Sequence, residues 1–143
     1  MAALRPAASR AVFRQSRNAA RRKWPAGFGS ATVDPMIFIA VRFTVRPEYS
    51  DRWLTIVDDF TRATRAEPGN LFFDWSRSVD DPHKFTLLEA FADADAGAVH
   101  VASDHFRAGL EAMAAAVATT PEIINVEVPG QGWNEMAELK PAP

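Results

Sequence analysis

The runs Leu71–Ser78 and Lys84–Phe91 constrain this chain more than any other feature, because both are apolar on both sides of a strand. Successive strand side chains point to opposite faces. Leu71, Phe73 and Trp75 are therefore set against Phe72, and Phe85, Leu87 and Phe91 against Leu88 and Ala90. Val79-Asp80-Asp81-Pro82-His83 separates the runs as a turn, so together they read as a hairpin with a loop of several residues. A single-layer sheet with one wet face does not carry such strands. One face must meet helices, and the other calls for a second apolar layer, so a homodimer is expected.

The flanking pattern supplies those helices. Met36 to Val45 is β-branched and aromatic, a strand stopped by Arg46-Pro47. Trp53, Ile56, Val57, Phe60 and Ala63 follow at helical spacing, with Asp51, Arg52, Asp58, Asp59 and Arg62 on the outer arc. Ser50 is a candidate N-cap, with Pro47 or Glu48 as an earlier start. Glu67-Pro68-Gly69-Asn70 breaks this helix. Asp93 to Thr119 is again helical, with Val99, Ala102, Phe106, Leu110, Met113 and Val117 as its core stripe, and Ser103-Asp104 reads as an N-cap that divides it in two. Pro121 opens a last strand, Glu122 to Val128, and Pro129-Gly130-Gln131-Gly132 ends it. The order β-α-β-β-α-β is an α+β, ferredoxin-like split βαβ arrangement. It places one domain at 36–128, followed by an irregular tail, 129–143, with Trp133 and Met136 as possible anchors.

Composition narrows the function classes. The chain has 143 residues, enough for one domain, and no cysteine, which removes thiol nucleophiles, disulfides and Cys-ligated metals. No apolar run reaches the ~20 residues that span a bilayer. The net charge of −2 hides two unlike parts: residues 1–35 hold seven basic residues against Asp34, so the remainder carries −8. An acidic body argues against nucleic-acid binding. The basic, Ala- and Arg-rich head has the composition of a transit peptide. A misplaced start ahead of Met36 or a disordered arm is the favoured reading, and residues 1–35 are set aside from the fold. The expectation is a cytoplasmic protein, or an organellar one if the head is a transit peptide.

The chemistry concentrates between Asn70 and Phe106. Two of the three histidines, His100 and His105, and the strand-embedded Glu89 fall there among Phe72, Phe73, Trp75, Phe85, Phe91 and Phe106. Acid–base groups amid aromatic surface suit a small apolar-substrate pocket. On one continuous helix, five residues set the histidines roughly 140° apart, and no third ligand is evident, so no metal site is expected. With a break at Ser103-Asp104 and Asp104 as cap, His105 enters the first turn of the second piece, where the helix dipole keeps an imidazole neutral. It then serves as a general base or is simply a helix-start surface residue. Buried, Glu89 would have a raised pKa; otherwise it holds His100 or a backbone N–H. Trp75 and Phe91 are candidate pocket walls, Asn70 a weaker polar candidate, and His83 is expected to be solvated.

The residues also form a familiar pattern: E-P-G-N-L-x-F-D over Glu67 to Asp74, Asp81-Pro82, and E-A-F-x-D-x-D-A-x-x-x-H-x-x-S-x-H-F over Glu89 to Phe106. In order and spacing it resembles the antibiotic biosynthesis monooxygenase superfamily, in particular its small quinol monooxygenase branch, over Met36 to about Val128. The resemblance implies a dimeric α+β barrel and cofactor-independent oxygenation of a small quinol or phenol. His105 or His100 would then remove a phenolic proton, Glu89 fix a tautomer, Trp75 and Asn70 orient the substrate oxygen, and Phe72, Phe91 and Phe106 enclose it. The pattern is also similar to an isomerase of phosphorylated autoinducer-2 breakdown products, so a small hydroxyketone is the alternative substrate. A non-catalytic ligand-binding dimer is the third reading. Heme-degrading members carry a histidine where this chain has Leu110, so the resemblance does not extend to heme.

Overall fold

The structure, a computed structural model, describes residues 34–143, so the basic extension falls outside the described residues except for its last two positions. The elements are β1 (Met36–Thr44), α1 (Pro47–Ser50), α2 (Trp53–Ile56), α3 (Asp58–Arg65), β2 (Asn70–Arg77), β3 (Lys84–Phe91), α4 (Ala94–Ala102), α5 (Asp104–Ala114) and β4 (Glu122–Val128). The strands form one antiparallel sheet in the order β2-β3-β1-β4. This is the β-α-β-β-α-β order, with each helical position broken into pieces.

Pairing assigns the two faces. Ile37 lies opposite Phe91, Ile39 opposite Glu89, Val41 opposite Leu87 and Phe43 opposite Phe85. These residues face the helices, and Trp53, Val57, Phe60, Phe73 and Met113 bury against them. Aromatic rings fill the centre: Trp53 stands 5.3 Å from Phe43 and 5.7 Å from Trp75 between centroids. Burying each such side chain contributes ~2 kcal/mol or more. The opposite face carries Phe38, Ala40, Leu88, Ile124 and Val126, with Ile124 62% exposed and Val126 38%. A register shift between Asn70 and Phe72 leaves Leu71 out of the pairing, so the alternation expected for that strand holds only from Phe72 onward.

The first helical segment departs from expectation at its start. Pro47 occupies the first helical position after Arg46, where its missing N–H costs nothing. Ser50 is therefore not the cap. Its hydroxyl donates to the Arg46 carbonyl at 3.3 Å and pairs with His83 Nδ1 at 2.7 Å. His83, expected to be solvated, is half-buried by this contact. The backbone loosens at Arg52 and Val57, but hydrogen bonds from Ile56 N to Arg52 O and Thr61 N to Val57 O carry the helical path through.

The second segment breaks where predicted, with Ser103 rather than Asp104 as the cap. Ser103 is extended (φ −72°, ψ 153°) and its hydroxyl accepts from Phe106 N–H at 3.1 Å. One extended residue resets the helical phase, and this corrects the predicted stripe. Val99 (65% exposed), Ala102 and Leu110 (49%) face outward, while Gly97, His100, Gly109 and Met113 face inward. Among the described residues no helix is long and apolar enough to cross a membrane. The tail beyond Val128 forms no helix or strand; Trp133 stacks on Phe72 at 5.4 Å, whereas Met136 remains exposed.

The closeness of α5 to α3 rests on Gly109, where an added Cβ would lie 2.7 Å from Phe60 Cγ. Helix propensity favours alanine there by ~1 kcal/mol, but overpacking costs ~1–3 kcal/mol. Gly109→Ala should therefore lower the melting temperature by several degrees. A rise in thermal denaturation would show that the α3–α5 contact has slack.

Candidate functional site

Four ionisable side chains from four separate segments converge under the helices. Strand alternation gives the first: Glu89 points to the helix side of β3 between Leu87 and Phe91 and is buried. His100, inward on α4 and only 3% exposed, lies over it, with Nε2 4.0 Å from Glu89 Oε2. Rings enclose His100: Phe91 at 4.7 Å, Phe106 at 5.0 Å, Phe60 at 5.8 Å and Phe73 at 6.5 Å between centroids. His105 sits in the first turn of α5, its side chain 29% exposed.

The fourth is Glu67, which appears in the sequence as a helix-ending residue and as the head of the E-P-G-N pattern, with no chemical role assigned. Its backbone continues α3 by one more turn, with Glu67 N donating to Thr64 O at 3.0 Å and Asn70 N to Glu67 O at 3.1 Å. The turn lies tightly against α4. A Cβ on Gly69 would stand 2.4 Å from Ala96 Cβ, and Ala92 N donates to Gly69 O at 2.9 Å. Only glycine permits that approach, which delivers the Glu67 carboxylate to both imidazoles. Glu67 Oε1 pairs with His100 Nδ1 at 2.9 Å and, in a very short contact, with His105 Nε2.

This arrangement corrects the geometric reason for expecting no metal. The break at Ser103 brings the two rings to 6.0 Å between centroids rather than to opposite sides of one helix. Glu67 is a third candidate ligand, since one donor atom each from Glu67, His100 and His105 lies within 4.8 Å of the others.

The surroundings decide the protonation states. Burial, and secondarily the Glu67 charge, push Glu89 up to about 8. Burial lowers His100; the hydrogen bond and charge of Glu67 oppose this, and His105 adds to it. At neutral pH the His100–Glu89 contact is thus between an uncharged imidazole and a protonated carboxyl, not an ion pair. Glu89 Oε2 has no hydrogen-bond partner among the described residues.

Of the predicted aromatic and polar partners, Phe91 and Phe106 pack against His100, joined by Phe60 and Phe73. Trp75 belongs to the neighbouring core, its indole N–H donating to Thr61 Oγ1 at 2.9 Å. Asn70 uses its amide to hold the β2 bulge, donating to Phe72 O at 3.1 Å and Ala90 O at 3.2 Å. Phe72 lies on the far face of the sheet beside Phe38. A groove of about 400 Å³ beside α5 is lined by Phe43, Leu110, Met113 and Val117 and does not include either histidine. That groove and the ionisable cluster are thus separate, with Phe60 and Phe106 packed around His100.

Comparison with known proteins agrees with the fold. The family model described as Antibiotic biosynthesis monooxygenase matches residues 36–112. The Bacillus subtilis (strain 168) protein named "Putative monooxygenase YcnE" is 29% identical over 72 residues, covering 50% of this chain and 76% of that protein. Among solved structures, a "putative antibiotic biosynthesis monooxygenase" from Caulobacter crescentus CB15 superposes with a TM-score of 0.64 at 25% identity, over 68% of this chain and 93% of that one. A Nitrosomonas europaea protein of the same description gives 0.63 at 23%, over 67% and 92%.

The buried carboxyl predicts a pH signature. Below about pH 4.5 Glu89 is protonated whether folded or not. Between there and about 8 the unfolded chain releases the proton and the folded one keeps it, so stability falls as pH rises, by up to a few kcal/mol. His100 acts oppositely, costing stability as pH falls below its ordinary value. Glu89→Gln removes the first effect alone. Its melting temperature should exceed the parent's near pH 8.5 by several degrees, with the gap closing toward pH 4.5; a gap constant with pH would contradict the assignment.

Proposed function

The chain belongs to the antibiotic biosynthesis monooxygenase family, and on that premise we propose that it oxygenates a small quinol or phenol with O2, using no organic cofactor. The observation that carries the proposal is the Glu67 carboxylate shared by one buried and one accessible imidazole. Glu67 holds His105 through Nε2, which leaves Nδ1 as the proton acceptor for a substrate hydroxyl. His105, the more exposed of the pair, meets the substrate, while His100 and Glu67 position it. Removing the phenolic proton gives an electron-rich anion able to reduce O2. For a quinol the balance closes without another reductant: quinol and O2 give hydroxyquinone and water, the substrate supplying all four electrons that reduce O2. The phenyl rings around His100 exclude water from the inner side of the pair.

The same surroundings favour an uncharged aromatic substrate over a phosphorylated hydroxyketone. Nearby cations are engaged elsewhere: Arg65 donates to the Phe73 carbonyl at 2.7 Å and Arg107 to Asp104 at 2.7 Å.

Assembly into a homodimeric barrel is part of the proposal. Phe38, Ala40, Leu88, Ile124 and Val126 form an apolar sheet face that the chain's own helices leave uncovered. Placing a charge there should prevent pairing. Light scattering at micromolar concentration should give a dimer for the parent and a monomer for Ile124→Lys; a monomeric parent would remove the barrel.

Oxygen-electrode assays over a panel of small quinols test the chemistry. His105→Ala should lower turnover ~100-fold or more. His83→Ala should lose about 1 kcal/mol of stability with its Ser50 hydrogen bond but keep its turnover. With circular dichroism confirming both folds, an unimpaired His105 variant would refute the general-base assignment.

A further inference from the structure

We propose that Glu67, His100 and His105 form a binding site for a divalent transition ion of the zinc and iron(II) class. Two imidazoles and one carboxylate, leaving coordination positions open, make up a donor set suited to such ions rather than to magnesium or calcium. Ligand bonds of ~2.0–2.2 Å place donor atoms on one ion roughly 3–4 Å apart. His100 Nδ1 and Glu67 Oε1 already stand at 2.9 Å, and the three donor atoms lie within 4.8 Å. The remaining adjustment falls on His105, whose partly exposed side chain has room to swing and also gives an ion its way in.

A second observation points the same way. Glu89 Oε2 is buried and has no partner among the described residues, although His100 Nε2 is 4.0 Å away. In the present arrangement Glu67 engages His100 Nδ1, and Nε2 faces the Glu89 carboxyl at a distance too long for a hydrogen bond. An ion on Nδ1 moves the imidazole proton to Nε2, aimed at Glu89. A ligating histidine whose second nitrogen faces a carboxylate is the usual outer support of a metal site. Occupancy would thus aim an N–H at a buried carboxyl oxygen that has no hydrogen-bond partner among the described residues, and place a cation beside two carboxyl groups enclosed by phenyl rings.

The ion would hold the two nitrogens through which Glu67 organises the pair. Binding is read without substrate, so its failure and that of the oxygenase reading are distinguishable. The chain has no cysteine and three histidines, so the background is small. The experiment is calorimetric titration of the untagged, chelator-treated full chain with Zn2+, alongside visible absorption with Co2+. One ion per chain is expected, with Mg2+ failing to compete. Glu67→Gln and His105→Ala should each weaken binding at least ~10-fold, and His83→Ala should leave it unchanged. Circular dichroism establishes that both site variants fold. Absence of saturable binding, or binding lost equally in the His83 variant, would overturn the site.

Discussion

One carboxylate oxygen, Glu67 Oε1, receives an imidazole from each of two helices. Around it the charge states of His100 and Glu89 are arranged. It opposes the burial that drives His100 toward neutrality, and its charge adds to the burial that keeps Glu89 protonated. It also fixes which nitrogen of each ring is engaged. None of these effects would be large in water. The phenyl rings of Phe60, Phe73, Phe91 and Phe106 make them matter, because charge interactions strengthen as solvent is excluded.

The two histidines divide the work by depth. His100 is enclosed and links Glu67 to Glu89 across the core; His105 stands at a helix start, where it reaches both Glu67 and solvent. A fully buried pair would have no contact with a substrate, and a fully exposed pair would have ordinary acidity. The helix break at Ser103 allows one of each from residues only five apart.

Much of this was legible in the chain. Strand alternation, the Asp-Asp-Pro turn and the Ser103 break are local signals, and the elements form where those signals fall. Glu89 could be read as buried from Leu87 and Phe91 on its own side. Glu67 could not, because its direction depends on Gly69 touching Ala96, a contact across the fold that no local pattern announces. The stripe over Val99 and Leu110 failed because a single extended residue shifts the helical phase, and a periodic count carries no such offset. Trp75 and Asn70 looked like site residues by type. Thr61 and the β2 bulge claim their donors, and those partners emerge only with the tertiary contacts. Ser50 reads as a cap in sequence because hydroxyls favour that position, but Pro47 had already started the turn.

The alternation of β3 has a consequence for how the molecule folds. Leu88 and Ala90 belong to the open apolar face, and Glu89 between them belongs to the histidines. A slip of one residue in the pairing with β1 would exchange them, putting a carboxyl on the oily outer surface and an alkyl group against His100. No partial credit exists for such an error: the slipped chain loses its outer face and its acid–base cluster together. Registration of β3 against β1 therefore acts as a checkpoint, and any molecule that has passed it to bury its sheet correctly already carries its carboxyl on the side where the chemistry lies.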